Sequence, residues 1–147
     1  YEATINFFEN NKFIEFGKAA QKLSENFHWN KIVKNYTHIA KSKNPICGDV
    51  MEISLKIKNN KILDFGYQCK SCVYCQASVS LLSINSINKK TSNIKSLVKF
   101  VENFFIKNSN IFPKEWFEFE ILFQKKNISR KECLLLPFKT LLKALKL

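Results

Sequence analysis

The sequence predicts an α+β fold, a small antiparallel β-sheet of about three strands with helices packed on one face. Three observations predict it. From Met51 to Ile57 apolar residues alternate with polar ones, at Met51, Ile53, Leu55 and Ile57, the period of a half-buried strand. Asn59-Asn60 then reads as a turn and Lys61 to Tyr67 as the returning strand of a hairpin. From Val73 to Ile87 the spacing changes to three and four residues, at Val73, Ala77, Ser80, Leu81 and Ile84, which describes a helix whose small face can lie close to a sheet.

A chain of 147 residues predicts a single domain spanning 1–147, enough to bury about 68–70% of its unfolded surface without outside staples. The hydrophobic fraction of 46%, with only three glycines and three prolines, argues against disorder. The formal charge of +12 raises the question of nucleic acid. Almost all of it is lysine, spread along the chain and interleaved with apolar residues as on a solvated face, so nucleic acid is not an expected partner. No run approaches the roughly 20 apolar residues of a transmembrane helix, and no signal peptide is visible in a sequence that starts at Tyr1. The expectation is a cytoplasmic protein with no membrane partner. Five cysteines, an odd number, point to metal or sulfur chemistry in a reducing compartment, and the Asn35 and Asn127 sequons are then chance matches.

Taken in order, residues 3–27 carry Ile5, Phe8, Ile14, Phe16, Ala19, Ala20, Leu23 and Phe27, which fit one or two amphipathic helices near Gly17. The run from His28 to Ala40 fits a helix or a strand, with a strand preferred at its end. Pro45 to Asp49 reads as a tight turn, since proline fixes φ and Gly48 allows a positive φ; it aims the Cys47 thiol and the Asp49 carboxylate at one point. The returning strand then brings Cys69 and Cys72 back toward them. Cys72 is placed at the N-terminus of the first helix, where the helix dipole favours a thiolate. Lys89-Lys90-Thr91 ends that helix, and Ile94 to Lys107 forms a second, with Ile94, Leu97, Val98, Val101, Phe104 and Phe105 on one face. Pro113 suits the first turn of a third helical stretch carrying Trp116, Phe117, Phe119, Ile121 and Leu122. Ser129-Arg130-Lys131-Glu132 has the pattern of a capping box and puts Cys133 in the first turn of the last helix. Pro137 removes the bond to the Cys133 carbonyl, so that helix should kink there or begin there.

Cysteines are often inert core residues. Against that stands their clustering in Cys47, Cys69, Cys72 and Cys75, with Cys133 apart. Cys69-x-x-Cys72-x-x-Cys75 admits a ferredoxin-like reading, but that pattern wants a fourth cysteine followed by proline, and position 79 is valine. A redox CxxC lacks a surrounding βαβ pattern. His28 and His38 show no metal-ligand spacing. Arg130 is the only arginine, which points to a need for planar, bidentate bonding.

The run Asn44-Pro45-Ile46-Cys47-Gly48-Asp49, a hairpin, Tyr67 five residues before Cys72, then Ala77-Ser78-Val79-Ser80 on a helix resembles the U-type iron–sulfur cluster scaffolds: IscU, the N-terminal domain of NifU, and SufU. The resemblance covers roughly residues 44–147; residues 1–43 do not show the family's N-terminal pattern. Where the family carries Gly-x-Gly-Cys, this chain has Cys69 and Ser71 in place of the glycines, with Cys72 as the matching cysteine and Cys75 as an extra thiol. Cys133 stands for the third family cysteine, and Arg130 three residues before it resembles the SufU branch. Leu136-Pro137-Phe138-Lys139 follows Cys133 and is not the Leu-Pro-Pro-Val-Lys motif of IscU, so a dedicated Hsp70-type chaperone is not implied.

The resemblance implies a site of Cys47, Asp49, Cys72 and Cys133, three thiolates and one carboxylate, with Cys69 and Cys75 auxiliary. Such a set suits tetrahedral zinc, or a transient [2Fe-2S] cluster with one labile oxygen ligand. The implied function is assembly of iron–sulfur clusters, a scaffold's role more than an enzyme's, with a cysteine desulfurase and cluster-acceptor proteins as partners. Cys47 and Cys133 are the candidate persulfide acceptors and Arg130 their charge partner. Two alternatives stand beside it: a zinc-dependent SufU-type sulfurtransferase, and a zinc-stabilised interaction module.

Overall fold

Strands β1 (His38–Lys43), β2 (Val50–Lys58) and β3 (Lys61–Lys70) form one antiparallel sheet in that order. The computed structural model describes residues 32–106 and 111–146. The helices expected over 3–27, His28, and the predicted end of the second helix at Lys107 lie outside the described residues. Among the described residues three α-helices follow the sheet: α1 (Val73–Ser86), α2 (Thr91–Phe104) and α3 (Lys131–Ala144).

The β2–β3 connection shows how sequence sets the sheet. Lys58 pairs with Lys61, leaving a two-residue loop of Asn59 and Asn60 at φ 51° and 59°. Two left-handed residues in succession make the turn whose twist matches that of the flanking strands, and asparagine tolerates that region better than most residues. β3 runs past the expected end at Tyr67 to Lys70, which pairs Cys69 with Met51. The pairs Met51/Cys69, Ile53/Tyr67 and Leu55/Phe65 lie on one face, and α1 and α3 cover that face. Met51, Ile53 and Leu55 are fully buried, as their alternation requires. Ser54 points the other way and is buried too. The Val33 N–H donates to its Oγ at 2.9 Å, so the chain leading into β1 folds over that part of the outer face.

α1 ends where expected, with Asn88 at φ 62°. The linker is then pinned to the hairpin: Asn88 N–H donates to the Ile62 carbonyl at 2.8 Å and Thr91 N–H to the Asn60 carbonyl at 2.8 Å. With those bonds in place α2 starts at Thr91 rather than Ile94, and buries Ile94, Leu97, Val98, Val101 and Phe104.

After Pro113 the structure corrects the expected helix. Two 3₁₀ segments stand there, Lys114–Ile121 and Lys125–Arg130. The anchors Trp116, Phe119 and Leu122 recur every third residue and are all buried, the spacing of a three-residue turn. Trp116 itself leaves helical geometry at φ −124°, and Phe117, expected on the packed face, is 62% exposed. Phe119 and Phe123 then stack edge-on against Phe138 of α3 at 5.5 and 5.6 Å.

The capping box does not form either. Arg130 is the N-cap of α3 and no side chain caps it. The 3₁₀ turn runs straight into the helix, and the Lys131 N–H is taken by the Ile128 carbonyl, which leaves the expected Ser129 cap without its role. α3 does not begin at Pro137; it runs through that residue.

Candidate metal centre

The β1–β2 loop is tied to itself. Asn44 N–H donates to the Asp49 carbonyl at 2.8 Å, and Gly48 N–H to the Asn44 carbonyl at 2.9 Å. The Ile46 N–H donates to Asn44 Oδ1 at 3.0 Å. Gly48 takes φ 77°, and this turn leaves Cys47 exposed at the tip while Asp49 is folded beneath at 8% exposure. A Cβ at Gly48 would meet nothing within 4 Å, so only the backbone conformation opposes a larger residue. Gly48→Ala is therefore expected to cost about 1–2 kcal/mol from left-handed strain alone, measured by denaturant unfolding; a loss above about 3 kcal/mol would mean that the space around it matters as well.

Cys72 is the N-cap of α1, as expected, and its backbone N–H donates to Asp49 Oδ1 at 3.3 Å. Asp49 Oδ2 is buried with no hydrogen-bond partner among the described residues. Cys133, the third residue of α3, is buried, and its Sγ lies 4.0 Å from that of Cys47. The Cys47 and Cys133 sulfurs and an Asp49 carboxylate oxygen all lie within 4.8 Å of one another, close enough to share one metal ion. Cys72, the fourth expected ligand, interacts with the Cys133 thiol but is not among the groups that lie within 4.8 Å of one another. Burial pushes the Cys133 thiol up to about 12, with the hydrogen bond and charge of Cys72 and then those of Cys47 adding to it. For Cys133 burial thus outweighs the helix N-terminus, which alone would lower the value. A bound cation reverses that balance by stabilising the thiolate.

Cys69 and Cys75 lie on the core side. Cys75 is fully buried and burial holds its thiol well above the ordinary range, opposed by the Ser71 hydroxyl; burial raises Cys69 in the same way. Neither belongs to the cluster that Cys47, Asp49 and Cys133 form. The Arg130 guanidinium lies over the Tyr74 ring at 5.6 Å, and among the described residues it makes no ion pair with Asp49. His38 bonds Thr37 at the end of β1 remote from the loop. Asn127 is buried, with its side-chain amide donating to the Leu122 carbonyl at 2.8 Å, in keeping with a chance sequon. Ser71 stands where the family carries a glycine, whereas no pattern in the sequence singles out Tyr74.

Residues 21–107, more than half of the chain, match the sequence profile of the NifU-like N-terminal domain family. The chain belongs to that family. A relative of this NifU-like domain, the iron–sulfur cluster assembly scaffold protein IscU of Thermotoga maritima, is 31% identical over 111 residues, or 75% of this chain and 78% of that one. Among solved structures, a protein of Fervidobacterium islandicum AW-1 assigned to the SUF system as a cluster assembly scaffold superposes with a TM-score of 0.75 at 28% identity, covering 89% of this chain and 94% of that one. An N-terminal NifU-like protein of Brucella abortus shares the fold, with a TM-score of 0.73 at 17% identity over 79% and 81% of the two chains. The profile match takes in Cys47, Asp49 and Cys72 but stops short of Cys133. It is the fold of the NifU-like domain that sets Cys133 beside them. Among its described residues no helix is long and apolar enough to cross a membrane.

Proposed function

We propose that this NifU-like domain is an iron–sulfur cluster assembly scaffold that builds its cargo on Cys47, Asp49, Cys72 and Cys133. The observation that carries the reading is the convergence of two sulfurs and a carboxylate within 4.8 Å from a loop and a helix end far apart in sequence. The unpartnered Asp49 Oδ2 adds to it, because a buried carboxylate oxygen without a donor fits a site that a cation completes.

Each residue then has a role. Cys47, exposed at the loop tip, is the thiol that a desulfurase persulfide can reach. Its thiolate attacks the terminal sulfur, one S–S bond forms as another breaks, and the desulfurase thiolate leaves; the two cysteines swap oxidation states, so no outside oxidant or reductant is needed. Turning that sulfur into sulfide takes two electrons from a donor outside this chain. Cys133 at 4.0 Å is placed to take the sulfur over from Cys47 by the same exchange. Three thiolates hold the cargo, and Asp49, a harder and weaker partner for iron, leaves one position exchangeable for hand-off to acceptor proteins. Arg130, whose guanidinium lies 5.6 Å from the Tyr74 ring, takes the role of charge partner during that exchange.

Metal analysis of the anaerobically purified protein, before and after incubation with a cysteine desulfurase, ferrous iron and cysteine, tests the reading. A visible-absorbing cluster with iron and sulfide in equal amounts is expected. Stoichiometric zinc that persists, together with faster desulfurase turnover, would replace it by the zinc-dependent sulfurtransferase. Zinc without either activity would leave the interaction module.

Metal binding should also depend on pH in a defined sense. The Cys133 thiol is protonated at neutral pH and must lose that proton to bind, so zinc affinity should rise about tenfold per pH unit for each proton released. A competition titration across neutral pH reads the slope, and a flat profile would exclude thiol ligation. In the metal-free protein the sign for folding is the opposite. A thiol whose folded pKa is raised contributes stability in full below the ordinary value of 9.0 and loses it as pH climbs from there toward about 12.

A further inference from the structure

Helices α1 and α3 each present a thiol near the N-terminal end, Cys72 and Cys133, and they pack against each other. A buried side-chain hydrogen bond crosses between them: Ser78 Oγ donates to the Leu134 carbonyl at 2.7 Å, between residues 56 apart in sequence. Ser78 is fully buried, and Leu134 directly follows Cys133. Of the other buried serines of α1, Ser83 bonds the Ser80 carbonyl of its own helix at 2.8 Å, Ser80 bonds the Tyr67 hydroxyl of β3 at 3.0 Å, and Ser86 Oγ has no partner among the described residues.

The first turn of α3 has reason to need outside support. Pro137 has no N–H, so the Cys133 carbonyl lacks its helical donor, and no side chain caps the helix start. The turn that carries Cys133 is thus weakened at Cys133 itself. The Ser78 bond reaches it one residue later.

We propose that Ser78 is a positioning residue for the metal centre: its hydroxyl fixes the first turn of α3 against α1 and so sets where the Cys133 thiol stands relative to Cys47, Asp49 and Cys72. Its effect on metal binding rests on the scaffold reading above; its effect on the thiol position does not.

Ser78→Thr and Ser78→Val add nearly the same bulk to a buried position and differ in the hydroxyl, so their comparison cancels the overpacking. Two readouts are taken on the full chain. In the metal-free protein, diamide takes two electrons and two protons from a thiol pair, and peptide mapping follows formation of the Cys47–Cys133 disulfide from its starting separation of 4.0 Å. Ser78→Val is expected to form it about tenfold more slowly than Ser78→Thr, because a small misplacement of reacting atoms is costly. With cobalt(II) as probe, Ser78→Val should bind about 10- to 100-fold more weakly than Ser78→Thr and show an altered ligand-field spectrum. Ser83→Ala, which loses a buried bond inside α1 alone, should lower the melting temperature and leave both readouts unchanged. If Ser78→Val does not fold, Ser78→Ala set against Ser83→Ala makes the same comparison without added bulk. Equal behaviour of the hydroxyl-bearing and hydroxyl-free variants in both readouts overturns the proposal. Failure of the wild type to bind cobalt would instead count against the metal centre, with the disulfide rate still deciding the role of Ser78.

Discussion

Cys133→Ser is expected to abolish tight metal binding while leaving the fold intact. Structural zinc sites bind with about 10–16 kcal/mol, so one ligand of four is worth about 3 kcal/mol, or roughly two orders of magnitude in affinity. Serine occupies less space than cysteine and is a poor ligand at neutral pH, so the buried first turn of α3 can accept it with a small loss of packing. Cys47→Ser and Cys72→Ser should behave alike, whereas Cys69→Ser and Cys75→Ser should keep one equivalent of metal. Cys75 is fully buried, and its serine variant will lose some stability for that reason; isothermal titration with zinc separates that loss from a loss of ligation. Retained stoichiometric metal in Cys133→Ser would move the centre to the Cys69–Cys75 side.

Asp49→Ala should lengthen the life of a bound cluster by about tenfold, equivalent to about 1.4 kcal/mol in the release barrier. Under the proposed scaffold function the carboxylate is the ligand most readily exchanged for a donor from an acceptor protein, and its removal would leave the thiolates to hold the cargo. The folding stability should move little. The variant loses the bond from the Cys72 N–H, which is long at 3.3 Å, but it also removes a buried oxygen without a partner. Decay of visible absorption in the presence of an apo-acceptor measures the lifetime. Faster decay in the variant would mean that Asp49 holds the cluster rather than frees it.

How much of this was legible in the sequence depended on whether the physical cause was local. The hairpin was, because the alternation from Met51 to Ile57 reflects one buried face and Asn59-Asn60 supplies both left-handed residues of its turn. The place of Cys72 at a helix start was too, since the change in period falls there. The convergence of Cys133 on Cys47 was legible only through family resemblance, because no local pattern links residues 86 apart. The 3₁₀ segments were missed because, over so short a run, a spacing of three cannot be told from a spacing of 3.6. The capping box that Ser129 to Glu132 suggests does not form, because a backbone bond from the turn before it already takes the Lys131 N–H. Burial of Ser54 and the reach of Ser78 to Leu134 are tertiary facts, and small polar residues leave little trace of either.

The distance along the chain between Cys47 and Cys133 also orders events during folding. The hairpin and α1 lie within residues 50–86, so Cys47, Asp49 and Cys72 can be assembled from contacts of short sequence separation. Cys133 joins only when α3 docks, closing a loop of 86 residues. On a ribosome the first three emerge well before the fourth, and a nascent chain exposes an incomplete thiol site for as long as the remaining segment takes to be synthesised. Completion of the centre then marks the docking of α3, and a metal held by all four residues would favour that docked state by mass action.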